Sequence, residues 1–171
     1  RELLGLDSQA LAGVEVVPLR VREGDEASCL NLNRAQTPRL LGVEPELLEK
    51  RRAFTFANTA QGLPKNKPWL LLNGKASDDV IPAIGDQASI QWALGKQVGD
   101  TLDFIDQQGR AFKIRLVASV ANSILQGNLL IAEKEFVERF PDQSGYRMFL
   151  IDAPSNRLDQ VTAALSQGLQ D

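Results

Sequence analysis

Residues 81–120 read IPAIGDQASIQWALGKQVGDTLDFIDQQGRAFKIRLVASV, and the fold turns on them. Ile81 to Ile84 is a short apolar segment bounded by polar residues, the mark of a buried strand. Asp86 stands where it caps a helix running through Leu94, with Ile90, Ala93 and Leu94 inward and Gly95 as the stop. Gly99-Asp100 predicts a tight turn. Thr101–Asp106 and Arg110–Val120 then read as two strands joined by Gln107-Gln108-Gly109. Period-two spacing places Leu102 and Phe104 on one face of the first strand, and Phe112, Ile114 and Leu116 on one face of the second.

Toward the C-terminus strand and helix alternate. Ser123–Ile131 reads as a strand. Glu133–Phe140 reads as a helix burying Phe136, Val137 and Phe140, stopped by Pro141. Tyr146–Ile151 is a strand. Asn156–Leu169 is a helix with Leu158, Val161, Leu165 and Leu169 at helical spacing and Asn156 with Asp159 as its N-terminal cap.

Toward the N-terminus the signals are shorter. Glu2–Ala12 predicts a short helix ending near Gly13. Val14–Glu23 predicts a strand, with Pro18 placing it at an edge or a bulge. After the turn Gly24-Asp25-Glu26, Ala27–Leu32 predicts a return strand. Thr37-Pro38 is a helix-start signal with Leu40, Leu41 and Val43 on the buried side. Glu44-Pro45-Glu46 starts another helix, which Lys50-Arg51-Arg52 closes in agreement with the helix dipole. From Ala53 to Val80 the pattern is irregular, with Asn73-Gly74 as a hairpin turn flanked by Leu70–Leu72. The fold class expected is α+β, a sheet with its helices on one face.

Composition narrows the function. The chain has 171 residues, 43% of them hydrophobic and 24% charged, so it buries a sizeable core. Lys and Arg number 19 against 22 Asp and Glu, a net charge of −3, which gives no electrostatic case for nucleic acid or an anionic membrane. There is no histidine, so Ser-His-Asp and Cys-His catalysis, histidine metal sites and a histidine pH switch fall away. Cys29 is the single cysteine and cannot form an internal disulfide; it reads as a small apolar residue on a half-buried strand more readily than as a reactive or acylated thiol. No apolar run approaches the roughly 20 residues of a membrane span. The sequence opens on Arg1, which reads as a processed protein or a piece of a longer one.

Catalytic signatures are missing. The 13 glycines form neither GxxxxGK[ST] nor GxGxxG, and Gly74-Lys75 is followed by Ala76, not by a magnesium-binding hydroxyl. No GxSxG elbow occurs. Asp78, Asp79, Asp100, Asp103 and Asp106 are the carboxylates that acid–base or metal chemistry would need. Adjacent aspartates on a strand face opposite ways, and no calcium-loop spacing exists, so they read as solvated faces and turns. Lys50, Arg51, Arg52, Lys65 and Lys67 form the one basic concentration, near Phe54, Phe56 and Trp69; it reads as a helix end and a loop. Trp69 and Trp92 could mark a partner surface, but Trp92 beside Ala93 and Leu94 reads as packing. No catalytic, cofactor, metal or binding residue is assigned, and the chain reads as a non-enzyme.

The 81–120 pattern resembles the extracytoplasmic domain of FtsX-like ABC transporter permeases, the MacB/LolC/LolE superfamily. The family shows a strand, a helix, then x-x-x-G-x-x-x-G-D-T-apolar, a hairpin, and a strand ending apolar-x-G-V-apolar. Gly95, Gly99, Asp100 and Thr101 fit the middle part; Leu116–Val120 stands in the last, with Ala118 in place of glycine. Gly127–Ile131 with Glu133–Phe140 resembles the family's strand and short helix. FLIDAP at Phe149–Pro154 resembles its run-up to the next transmembrane helix. LGVEPELLEKRRAF at Leu41–Phe54 is similar to the family's G-V-x-P pattern.

The resemblance implies an inner-membrane permease of four transmembrane helices, with this domain outside the membrane between the first two. It implies a porter-like lobe of βαβ units at 1–52 and 121–171, and an inserted, smaller β-rich lobe at 53–120. It also implies a second permease subunit, a separate cytoplasmic ATPase, and a periplasmic partner or lipoprotein, with no cofactor and no nucleic acid. The domain would transmit ATPase-driven movement to lipoprotein release, efflux or hydrolase activation. Two other readings stand beside it: a secreted binding or adaptor domain of porter-like fold, and an enzyme using carboxylates alone.

Overall fold

A computed structural model of the chain describes residues 13–24, 37–74, 77 and 79–168. The chain divides into two compact units, 19–148 and 1–18 with 149–171. The expected helix at Glu2–Ala12, the strand at Ala27–Leu32 with Cys29, Asp78 and Leu169 lie outside the described residues.

The larger unit is a mixed sheet. Its strands run β1 (Glu15–Arg22, of which Leu19 onward belongs here), β2 (Arg39–Val43), β3 (Thr55–Thr59), β4 (Val80–Asp86), β5 (Thr101–Ile105), β6 (Ala111–Ala121) and β7 (Asn128–Ala132). The order is β3-β6-β4-β7-β2-β1, with β5 also pairing β6. β2–β7 and β4–β6 are parallel; β1–β2, β3–β6, β4–β7 and β5–β6 are antiparallel. The long β6 therefore carries β5 on its first half and β3 on its second.

The central strands are buried on both faces. β7 is buried throughout, and β4 from Ile81 to Asp86. One face gathers Leu40, Ile81, Ala83, Ile114, Leu116, Leu129 and Ile131 under Phe136 and Phe140, which come from helix α2 (Glu133–Arg139) and its end. Gly42 makes that contact feasible: a Cβ there would lie 2.7 Å from Cγ of Phe136. The alternate residues Leu41, Val43, Ile84 and Leu130 are buried too. Helix α1 (Pro45–Arg51) packs with a 3-10 turn, Pro68–Asn73, which reaches β4, β6 and β7. The helical elements thus cover both faces of the sheet, where the sequence suggested one.

Several local expectations hold. α1 has Pro45 in its first turn, Glu46 near its start and Lys50 and Arg51 at its end. It exits through a left-handed Arg52 (φ 49°), with Ala53 N–H donating to the Leu48 carbonyl. The 101–121 hairpin forms with Leu102 opposite Ile114 and Phe104 opposite Phe112.

Others are corrected. Residues 39–43 form strand β2, not the helix that Thr37-Pro38 suggested. A run buried on both faces shows no alternation, so its period cannot be read. Asn73-Gly74 is no hairpin turn: Asn73 ends the 3-10 turn, and Gly74 at φ −71° lacks the positive φ a type I′ turn requires. Strand β7 begins only at Asn128; Ile124 to Gly127 are turn, preceded by Asn122 at φ 46°. Val137 is 42% exposed, because Phe136 and Phe140, four apart, define the inward line of a seven-residue helix.

The second unit is described by itself. It contains the start of β1, most of β8 (Met148–Asp152), a 3-10 turn at Ser155–Arg157 and α3 (Leu158–Gly168). Among the described residues, Val14, Val17 and Val161 are its buried apolar residues, whereas Leu158 is half exposed. Asn156 sits inside the 3-10 turn, so the expected cap at that position gives way to a turn that starts from Pro154, with Arg157 N–H donating to the Pro154 carbonyl.

Candidate functional site

The segment between β4 and β5 is held by a set of specific bonds. It starts at Asp86, 1% exposed at the end of β4. Asp86 Oδ1 accepts from the Ala88 (3.0 Å) and Ser89 (3.4 Å) N–H groups, as the sequence predicted for a cap. Its Oδ2 accepts from the Ser123 N–H (3.0 Å) and hydroxyl (2.9 Å). Burial pushes the Asp86 carboxyl up, but the Ser123, Ser89 and Ala88 hydrogen bonds outweigh it and hold its pKa below the ordinary value.

The helix this cap opens is not the expected one. Ser89–Ala93 is a π turn, closed by Leu94 N–H on the Ser89 carbonyl at 3.1 Å. The wider turn keeps Ile90 inward but leaves Ala93 exposed and turns Trp92 out, 78% exposed. The packing reading of Trp92 is therefore corrected.

The G-x-x-x-G-D-T residues then make one unit. Gly95 (φ 61°) and Gly99 (φ 107°) both take the left-handed region. Gly99 N–H donates to the Leu116 carbonyl (2.7 Å), and Leu116 N–H donates back to the Asp100 carbonyl (2.9 Å). Asp100 Oδ2 accepts from Gln97 N–H at 3.0 Å. The motif thus clamps its own loop onto the middle of β6 and delivers Thr101 into β5.

A polar cleft of about 520 Å³ lies beside this loop. Asn58, Gln87, Gln91 and Gln97 bring carboxamides to it, and Lys96 and Asp100 bring one charge of each sign. Ile90 and Val98 contribute apolar surface, and buried Ser119 of β6 also lines it. Two other clefts are shallower in chemistry. One, about 470 Å³, carries the Arg39–Glu23 ion pair; the other, about 300 Å³, is apolar apart from Arg115.

Among the described residues, the carboxylates singled out in the sequence, Asp79, Asp100, Asp103 and Asp106, do not converge. Asp103 pairs with Lys113 across the β5–β6 ladder, and that bond keeps its pKa low. Asp106 is buried and closes the hairpin turn. Its Oδ1 accepts from the Gln108 and Arg110 N–H groups, and Oδ2 accepts from Arg110 Nε at 2.7 Å. Burial raises its pKa, and the Arg110 and Gln108 bonds lower it further than burial raises it. Asp100 serves its turn, and Asp79 is exposed. Among the described residues no three metal-capable side chains gather.

The basic concentration also resolves into structure. Lys50 and Arg51 end α1, and Lys65 and Lys67 lie exposed on the following loop. The aromatics near them pack on one another: half-buried Phe54 and Phe56 meet buried Trp69 edge-on, at 6.1 and 5.1 Å. Trp69 Nε1 donates to the Ala53 carbonyl (2.8 Å), and its N–H donates to Glu49 Oε2 (3.0 Å).

The sequence missed the Ser123 partner of Asp86 and the carboxamide cleft. Gln87 and Gln91, four residues apart, were the available signal for the cleft.

No family model and no curated protein matches the chain. Solved structures do. One is the periplasmic region of MacB from Actinobacillus actinomycetemcomitans, with 14% identity and a TM-score of 0.46 over 91% of this chain and 66% of that one. Another is the extracellular domain of the noncanonical ABC-type transporter YknZ from Gram-positive bacteria, with 12% identity and a TM-score of 0.49 over 92% of this chain and 76% of that one. The chain spans less than two thirds of the MacB region. Among the described residues, no helix is long and apolar enough to cross a membrane.

Proposed function

We propose that the chain is an extracytoplasmic domain of an FtsX/MacB-like ABC transporter permease in the inner membrane. In this reading it passes movement, driven by a separate cytoplasmic ATPase, to a substrate or partner outside the cytoplasmic membrane. A second permease subunit completes the transporter. The observation that carries the reading is the G-x-x-x-G-D-T segment. The residues on which the family resemblance rests build one cross-bonded loop, clamped on β6 by Gly99 and Asp100.

Residues 1–52 with 121–171 form the porter-like lobe in this proposal, and 53–120 the inserted one. A lever must be stiff, and the bonds between these segments inside the larger unit suit that role. The β4–β7 ladder, the Asp86–Ser123 bonds, the Ser89–Gly127 bond and the Gln107–Asp142 contact all cross from one segment to the other. Rigid elements carry displacement only where such contacts are not easily broken.

The test is the parent polypeptide. The natural reading frame is expected to encode apolar spans of about 20 residues on both sides of this domain. When solubilised from membranes, the protein is expected to co-purify with an ATPase subunit. A natural polypeptide without flanking spans, recovered wholly in the soluble fraction, overturns the reading.

A further inference from the structure

Ser119 is 1% exposed on β6, and its hydroxyl has no hydrogen-bond partner among the described residues. Buried hydroxyls are nearly always paired, and leaving one unpaired destabilises the fold. Ser119 lines the polar cleft together with Asn58, Gln87, Gln91 and Gln97. Gln87 and Gln91 are exposed on the same turn of chain, free to reorient. The cleft, about 520 Å³, falls within the roughly 300–1,000 Å³ of small-ligand sites.

The lining chemistry selects the ligand. A carboxamide offers donors and an acceptor side by side, and a serine hydroxyl does both jobs with one atom. Groups that donate and accept together are best met by ligand hydroxyls, which do the same. Lys96 and Asp100 bring opposite charges, so the site has no net charge to attract an anion or a cation. Ile90 and Val98 give the C–H face of a ring an apolar surface. We propose that this cleft binds a neutral carbohydrate, with Ser119 and the four carboxamides as its hydrogen-bonding groups. The proposal does not rest on the permease reading.

The test uses the 171-residue chain, followed by NMR of backbone and side-chain amides. Cellobiose and diacetylchitobiose, in the millimolar range, are the carbohydrate probes. Acetyl-trialanine amide and inorganic phosphate are the peptide and anion probes. The sugars are expected to shift the side-chain amides of Asn58, Gln87, Gln91 and Gln97 together with the Ser119 backbone resonance. Ser119→Ala is expected to weaken sugar binding about tenfold, the loss of one well-made hydrogen bond, while thermal stability stays level or rises. Gln91→Ala, at an exposed position, is expected to weaken binding with no change in stability. Three results overturn the proposal. Neither sugar moves these resonances; the peptide or phosphate moves them in place of the sugars; or Ser119→Ala lowers stability, which would mean the hydroxyl already has a structural partner.

Discussion

Asp86 at the end of β4 accepts both the N–H and the hydroxyl of Ser123, which stands 37 residues further along the chain. The same carboxylate caps the turn that follows it through Ala88 and Ser89. One buried charge thus ties β4, the π turn and the turn before β7 together. Asparagine would turn an NH2 group toward N–H donors. Asp86→Asn is expected to lose about 1–3 kcal/mol of stability, and Ser123→Ala about 1 kcal/mol, by urea denaturation at neutral pH.

The pH dependence follows from the same bonds. The folded Asp86 carboxyl titrates below its ordinary value, so the unfolded chain takes up its proton first as pH falls. Its contribution is complete above the ordinary carboxylate pKa of about 3.9, and is lost as pH falls through the folded value. Asp106, lowered in the same direction, adds to the trend. Urea midpoints of the natural protein are expected to fall steeply on acidification below that pKa. In Asp86→Asn the slope should be shallower; equal slopes would show that Asp86 does not drive the loss.

The two tryptophans are expected to behave oppositely. Trp69 is 1% exposed, clasped by two phenylalanines and hydrogen-bonded through its indole, so Trp69→Ala should cost roughly 3–5 kcal/mol. Trp92 is 78% exposed, and Trp92→Ala should stay within about 0.5 kcal/mol. Acrylamide quenching of the single-tryptophan variants checks the assignment: with Trp69 replaced by Phe, the remaining fluorescence should be readily quenched, and with Trp92 replaced it should be protected.

What the sequence revealed follows from how its patterns arise. The β5–β6 hairpin was legible because one of its faces is wet, so Leu102, Phe104, Phe112 and Ile114 alternate with polar neighbours. Leu40–Val43 was not, since a central strand with two dry faces has no polar residues to set the period. Trp92 was misplaced because a π turn departs from the 3.6-residue repeat used to orient it. The Asp86 cap was readable locally. Its bond to Ser123 was not, because nothing in a single sequence marks which distant hydroxyl a carboxylate will meet. The carboxamide cleft was hidden for a related reason: Asn58, Gln91 and Ser119 come from three separate elements, and only the register of β3 on β6 places Asn58 beside Ser119.

Gly42 offers the sharpest check on how the core is put together. It sits in β2 between β7 and β1, directly under Phe136 of α2. An added Cβ would stand 2.7 Å from Cγ and 2.8 Å from Cβ of Phe136. Those atoms are at the root of the ring, so rotating the side chain relieves little, and α2 itself must shift. Interiors packed at crystal density resist such a shift, and overpacking typically costs roughly 1–3 kcal/mol. Gly42→Ala is therefore expected to lower the thermal midpoint by several degrees. Combining it with Phe136→Ala, which removes Cγ and the whole ring, should cost less than the sum of the two single changes, because residues in contact are coupled. Additive losses in that double-mutant cycle would mean that α2 does not rest on β2 at this point.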